Sequence, residues 1–454
     1  MRKLYEILKV VAAITVFGAV VITGAAQQAL GQAAQSQKKV KDQGEFDLFN
    51  AVTKDTDPAK KIQDLNAWAD KYPDSDYKYD RLFLFMQTYS QAKPPQPDKV
   101  VQYGGQLMSS DVKTIFADNP QQILTTYLLV SMSITSIPNA TQEQLATGDK
   151  AAHELLGYLD TFFAASKKPA ATSDADWTKA RAQVEGIGKA ALLFTATRPA
   201  FQAYEKKDYP AAETAFTKAV QQYPDSGQAV YYLGLSIYNQ RNPDTFPKGL
   251  FFIARAATAG GGIDDATKKT MDAFLTRAYT TYHGSADGID QLKQQASASA
   301  TPPAGFTVES AAEVAAKKEQ EFAASNPQLA QWLAIKKELA APAGDQYFES
   351  NLKNAAVPKL KGTVVAANPA VRSKELVLAL SDATNPEVTL KLETPLTGKP
   401  EIGQTVEFEG VPSAFTKEPF NLTMDIENDK ISGLKVEKVA PAPPKKGVAT
   451  KKKS

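Results

Sequence analysis

From residue 45 onward the apolar positions recur at three- and four-residue steps, the signature of helices with one buried face. Ile62, Leu65 and Trp68–Ala69 share one face, Leu82, Phe85, Met86 and Tyr89 the next, then Val100, Val101 and Met108. Asp57-Pro58 reads as a helix start, with an aspartate cap and proline at the first helical position. Tyr72-Pro73-Asp74-Ser75 reads as a stop, and the same four residue types return at Tyr223-Pro224-Asp225-Ser226. Between them lie the stripes Ile123, Tyr127, Leu128, Met132 and Ala151, Leu155, Leu156, Leu159, Phe162, then a polar loop over 166–176. Further helices are expected over 177–195, 201–206, 210–222, 229–239 and 265–282, with a loop over 257–263. The stretch 297–305 is a linker by composition, and two more helices, near 308–322 and 327–339, are expected to connect onward.

At Leu360 the period changes from helical to two. Alternation is clean in Val388-Thr389-Leu390-Lys391-Leu392 and in Val406-Glu407-Phe408-Glu409. Five or six short runs rich in β-branched residues, broken by turn residues such as Asn368-Pro369 and Asn428-Asp429, predict a small antiparallel barrel or a β-sandwich. Their number and order resemble an OB-fold.

The chain start has another pattern. Arg2, Lys3 and Lys9 precede the apolar run of residues 10–23, and Gly31-Gln32-Ala33 offers a small-x-small cleavage site. This reads as an export signal over 1–33; an uncleaved anchor is the alternative. A polar leader follows over 34–44. The chain has no cysteine, which removes a disulfide framework, a thiolate metal site and a lipid anchor on cysteine. Net charge is +2, all of it accounted for by residues 1–33, so the remainder is near neutral. Five lysines sit in the tail over 440–454, and removing them leaves a body of about −5. A body of that sign is a poor nucleic-acid binder, and the tail suits weak contact with an anionic surface.

Residues 193–226 and those from 227 onward align on one 34-residue ruler. Ala200, Ala212, Phe216, Ala219 and Pro224 take places eight, twenty, twenty-four, twenty-seven and thirty-two of the first unit. Leu233 and Gly234 take places seven and eight of the second. After a three-residue insertion, Gly249, Ile253 and Ala256 take its small, large and small places. This pattern resembles the tetratricopeptide repeat, a helix–turn–helix unit of that period. Residues 45–110 fit it less well, with Lys61 where a small residue belongs. The resemblance implies a helical solenoid over 45–290, clearest over 193–257; with a linker bearing two helices over 291–355 and the β-domain over 356–439, the chain is expected to be mainly α. It also implies that the first helix of each unit lines a concave groove. That face holds Phe194, Thr197, Phe201, Tyr204 and Glu205 in one unit, and Gln228, Tyr231, Leu235, Tyr238 and Asn239 in the next. Phe201, Tyr204, Tyr231, Tyr238 and Asn239 are the candidate partner-binding residues; packing against neighbouring helices is the competing role for the aromatics.

Catalytic motifs do not appear. His153 and His283 stand far apart, and HExxH, GxSxG and phosphate-loop patterns are missing. Gly260 to Gly262 lacks a preceding strand. Asp55, Asp57, Asp74 and Asp76 fall at helix starts, where aspartate caps. Neither a cofactor nor a metal is expected. The sequence thus reads as a non-enzymatic scaffold or adaptor of a bacterial envelope that binds a protein or peptide in its groove. The alternative is a carbohydrate- or polymer-binding protein whose β-domain does the recognising.

Overall fold

The computed structural model describes residues 38–438. The export segment expected over 1–33, positions 34–37 of the leader and the tail over 440–454 lie outside the described residues. Two compact units divide between Val308 and Glu309.

The first unit is helical. It runs α1 (Gln43–Lys54), α2 (Pro58–Lys71), α3 (Lys78–Gln91), α4 (Pro97–Met108), α5 (Val112–Ile115), α6 (Pro120–Ile134) and α7 (Gln142–Phe162). Then come α8 (Asp174–Glu205), α9 (Tyr209–Gln222), α10 (Gly227–Asn239), α11 (Phe246–Ala259), α12 (Asp265–His283) and α13 (Ile289–Ala298). Side-chain caps fix the starts. Asp57 accepts from the Ala59 amide with Pro58 at the first position, Thr141 and Gln144 form a reciprocal capping box, and Asp208, Ser226 and Asp264 cap α9, α10 and α12. Most helices pack on their neighbours in the chain, as in a solenoid. Among the described residues no helix is long and apolar enough to cross a membrane.

Two hydrophobic cores fill this unit, one from Val52 to Ala191 and one from Ala200 to Val308. Helix α8 serves both. The separate helices expected over 177–195 and 201–206 are one 32-residue helix, with Pro199 inside it. Ala180, Val184 and Ala191 face the first core, Ala200 and Phe201 the second.

The first core encloses ionic groups. Glu45 is fully buried, accepting from Trp68 Nε1 at 3.0 Å and the Lys41 amide at 2.6 Å. Arg81 donates to the carbonyls of Trp68 (3.1 Å) and Tyr72 (2.9 Å). Charges taken out of water persist only with such partners.

Repeat geometry is plain in the second core. Lys207 and Arg241, one 34-residue period apart, both adopt left-handed backbone, φ 61° and 55°. Their amides bond the carbonyls of Tyr204 (2.9 Å) and Tyr238 (3.2 Å), again one period apart. Gly234 sits against α11: a Cβ there would lie 2.9 Å from the Gly249 carbonyl oxygen and 2.8 Å from the Ile253 nitrogen. Gly260 to Gly262 serves packing too. The amide of Gly227 donates to Gly261 O and that of Gly261 to Asp225 O, both at 3.0 Å, tying the loop to the inter-repeat turn.

The region expected as a linker over 291–355 divides between the units. Ile289, Leu292 and Ala296 of α13 are buried, Arg255 donates to the Ser299 carbonyl at 2.6 Å, and Phe306 packs on Phe251. The following helices, α14 (Ala311–Ser325) and α15 (Pro327–Ala340), belong to the second unit with α16 (Gly344–Tyr347). Trp332 of α15 is wholly buried in the sheet's core; a buried tryptophan on a helix read as a charged connector is the physical reason for the reassignment.

Among the described residues nine strands complete the second unit: β1 (Leu360–Asn368), β2 (Glu375–Ala379), β3 (Val388–Leu392), β4 (Lys399–Pro400), β5 (Thr405–Phe408), β6 (Val411–Lys417), β7 (Phe420–Ile426), β8 (Ile431–Ser432) and β9 (Val436–Glu437). Strands β4 and β9 pair with each other; the other seven form one sheet in the order β6-β7-β3-β2-β1-β5-β8. The antiparallel barrel is corrected on two counts. β7 runs parallel to β3, so the sheet is mixed, and the ladder is not closed. The run expected as one strand, from Thr405 on, changes partner at Glu409-Gly410: β5 pairs with β1, β6 with β7. Covalent chain, not hydrogen bonding, links those two flanks of the sheet.

Glu387 holds α15 to this sheet. It is 4% exposed and accepts from Trp332 Nε1, Lys336 Nζ, the Ser381 hydroxyl, and the amides of Leu380 and Ser381. Burial would raise its pKa; the hydrogen bonds from Lys336 and Ser381 outweigh burial and hold it below the usual carboxylate range. Phe415 packs on Phe348 and Phe420 on Trp332, so both rings pack within the unit.

Candidate binding face and cavity

The five residues proposed for the groove do come together. Phe201 and Tyr204 lie near the end of α8, one turn apart; Tyr231, Tyr238 and Asn239 lie on α10. All five are half-buried. Asn239 Nδ2 donates to the Tyr204 hydroxyl at 3.1 Å, joining equivalent faces of consecutive repeats.

The aromatics form a continuous row. Tyr232 is its hub, with ring centroids 5.0 Å from Phe201, 5.0 Å from Tyr204 and 5.9 Å from Tyr231. Tyr231 and Tyr238 both reach Phe274 of α12, at 6.4 Å and 5.4 Å; Tyr238 also meets Phe246, which stacks on Tyr282. Edge-to-face geometry dominates, the arrangement that ring quadrupoles favour. Burial raises the pKa of Tyr204, helped by Tyr209 and Tyr232. Burial likewise raises that of Tyr231, against the opposing pull of Arg277. Both hydroxyls stay protonated at ordinary pH.

Phe201 is packed edge-on to Phe216 at 5.0 Å inside its own helix pair, which makes it a support of the row. Tyr232, Phe246, Phe274 and Tyr282 were missed. Tyr232 falls one place after the face residue Tyr231, and the helix expected over 265–282 was given no face; the aromatic spacing Phe274 to Tyr282, two helical turns, was the signal that the face continues.

Other candidates do not assemble. His153 makes an exposed i,i+4 contact with Asp149, at 3.3 Å. Among the described residues no group of three or more His, Cys, Asp or Glu side chains is placed to hold a metal.

The second unit carries a cavity of about 550 Å³ where the ends of β3 and β7 meet the β5–β6 junction and the segment before β1. Val357, Leu392 and Ile426 form buried apolar wall, and Val411 stands 37% exposed beside them. No family model and no curated protein matches the chain.

Proposed function

We propose that the protein is a non-enzymatic scaffold of the tetratricopeptide-repeat kind, exported to a bacterial envelope, that docks a protein or peptide on the row Tyr204, Tyr231, Tyr238 and Asn239. The observation that carries this is the aromatic row itself. It crosses three alternate helices, α8, α10 and α12, without a break and stays half-exposed along its length. Rigid, amphipathic rings packed on a core by one face and left partly in water by the other are what binding surfaces use. The test follows from the rim. Gln228 and Arg277 are exposed on α10 and α12 beside Tyr231, so Gln228→Arg with Arg277→Glu changes the surface and not the packing. The expected result is a protein captured from envelope extract, crosslinked to α8, α10 and α12, and held about tenfold more weakly by the double variant, a change of roughly 1.4 kcal/mol. Equal capture by both forms would sink the reading.

A second reading, recognition of a carbohydrate or other polymer by the C-terminal unit, is favoured by the cavity on its sheet.

A further inference from the structure

The walls of that cavity narrow what it can hold. Its apolar side is Val357, Leu392, Val411 and Ile426. Its polar side has four carboxylates, Glu393, Glu409, Asp425 and Glu427, against two ammonium groups, Lys391 and Lys430. All six charged residues are exposed, and among the described residues none of their side chains has an ion-pair or hydrogen-bond partner. Asp425 is centred: across the strands it faces Lys391 of β3 on one side and Val411 of β6 on the other.

Each feature excludes a ligand class. Carboxylates outnumber lysines two to one, which opposes nucleic acid and other polyanions. No aromatic ring lines the cavity, so a sugar has no face to stack on. The two lysines repel a bare polyamine and call for an occupant that also brings acceptors. Apolar wall beside carboxylates suits long cationic side chains, which lay their stems on hydrocarbon and keep their heads in water.

We propose that this cavity binds a cationic peptide segment. Its lysine or arginine heads lie among Glu393, Glu409, Asp425 and Glu427, its stems on the apolar wall, and its carbonyls accept from Lys391 and Lys430. This rests on the polymer branch of the second reading, with the C-terminal sheet as the recognition surface, and sets its carbohydrate branch aside; it is independent of the aromatic face.

The test uses the full chain and a fluorescent hexapeptide of alternating lysine and valine, blocked at both ends, followed by anisotropy at low salt. The quadruple variant Glu393→Gln, Glu409→Gln, Asp425→Asn, Glu427→Gln alters only exposed groups, so its circular dichroism should match the parent. It is expected to weaken the peptide by about tenfold or more and to flatten the salt dependence. Val411→Asn is expected to weaken the peptide a few-fold without affecting spermine. Absent binding, an unchanged affinity in the quadruple variant, or equal binding of a glutamate–valine peptide or of spermine would overturn the proposal. So would binding seen only after removal of residues 439–454, because the chain's own lysines would then be the occupant. Retention on a polysaccharide resin with no peptide binding would overturn it too, while leaving recognition by the sheet standing.

Discussion

Tyr-Pro-Asp-Ser occurs twice, and the two copies share a backbone but not a method of attachment. Tyr72 and Tyr223 end their helices at φ/ψ of −130°/62° and −130°/67°. Each donates its amide to the carbonyl four residues back, at 3.0 Å and 2.8 Å, and the serine amide closes each turn onto the tyrosine carbonyl. Beyond that they diverge. The first turn is held by side chains: the Tyr72 hydroxyl donates to Asp42 at 2.5 Å, Arg81 grips the Tyr72 carbonyl, and Ser75 hydrogen-bonds Glu45. The second is held by backbone: Asp225 and Gly227 trade hydrogen bonds with Gly261, and Ser226 is left to cap α10. A short sequence thus fixes a helix stop, while its surroundings decide whether charge or close approach secures it.

Breaking the first attachment should cost most. Arg81→Met takes from the Trp68 and Tyr72 carbonyls their charged donor, leaving each only a backbone amide, and removes a buried cation near Glu45; it is expected to lose about 3 kcal/mol in urea unfolding. A loss under about 1 kcal/mol would mean that the ionic cluster does not hold the turn. The second attachment fails by crowding. A Cβ at Gly227 would lie 2.9 Å from Gly260 Cα and Gly261 O, so Gly227→Ala should cost roughly 1–3 kcal/mol.

The first attachment should also respond to pH. Burial would raise the pKa of Glu45, but hydrogen bonds from Ser75, Trp68 and the Lys41 amide hold it lowered. A lowered folded-state value means that Glu45 stabilises fully above its unfolded pKa of about 4.3 and that this stabilisation is lost as pH falls through the folded value. Glu45→Gln should flatten the unfolding free energy below about pH 5 in urea titrations run across that range. The smallest effect concerns the shared repeat geometry: Lys207→Gly or Arg241→Gly relieves left-handed backbone and should raise stability by about 1 kcal/mol each.

Much of this was legible because it is local. Asp57-Pro58, the 34-residue ruler and the alternation of Val388 to Leu392 each record a backbone state in adjacent residues. What stayed hidden depends on distant partners. Trp332 reads as part of a charged connector helix until Glu387, 55 positions on, receives its indole. The parallel pairing of β3 with β7 leaves no trace in either strand, because alternation sets which face is buried and not which strand lies alongside. The aromatic face was half seen for the same reason. Tyr204 and Tyr238 follow from the ruler, whereas Phe274 lies past the insertion, where the ruler loses count.

Helix α8 is also a mechanical element. Thirty-two residues make a rod about 48 Å long. It is a beam shared by two cores, so load applied to one is carried into the other, and neither melts without loosening its neighbour's wall. The beam has a weak point. Pro199 lacks the amide that would bond back to Thr195, between Ala191 of one core and Ala200 of the next. Under tension the rod is expected to yield there first, loosening both cores together at the boundary they share.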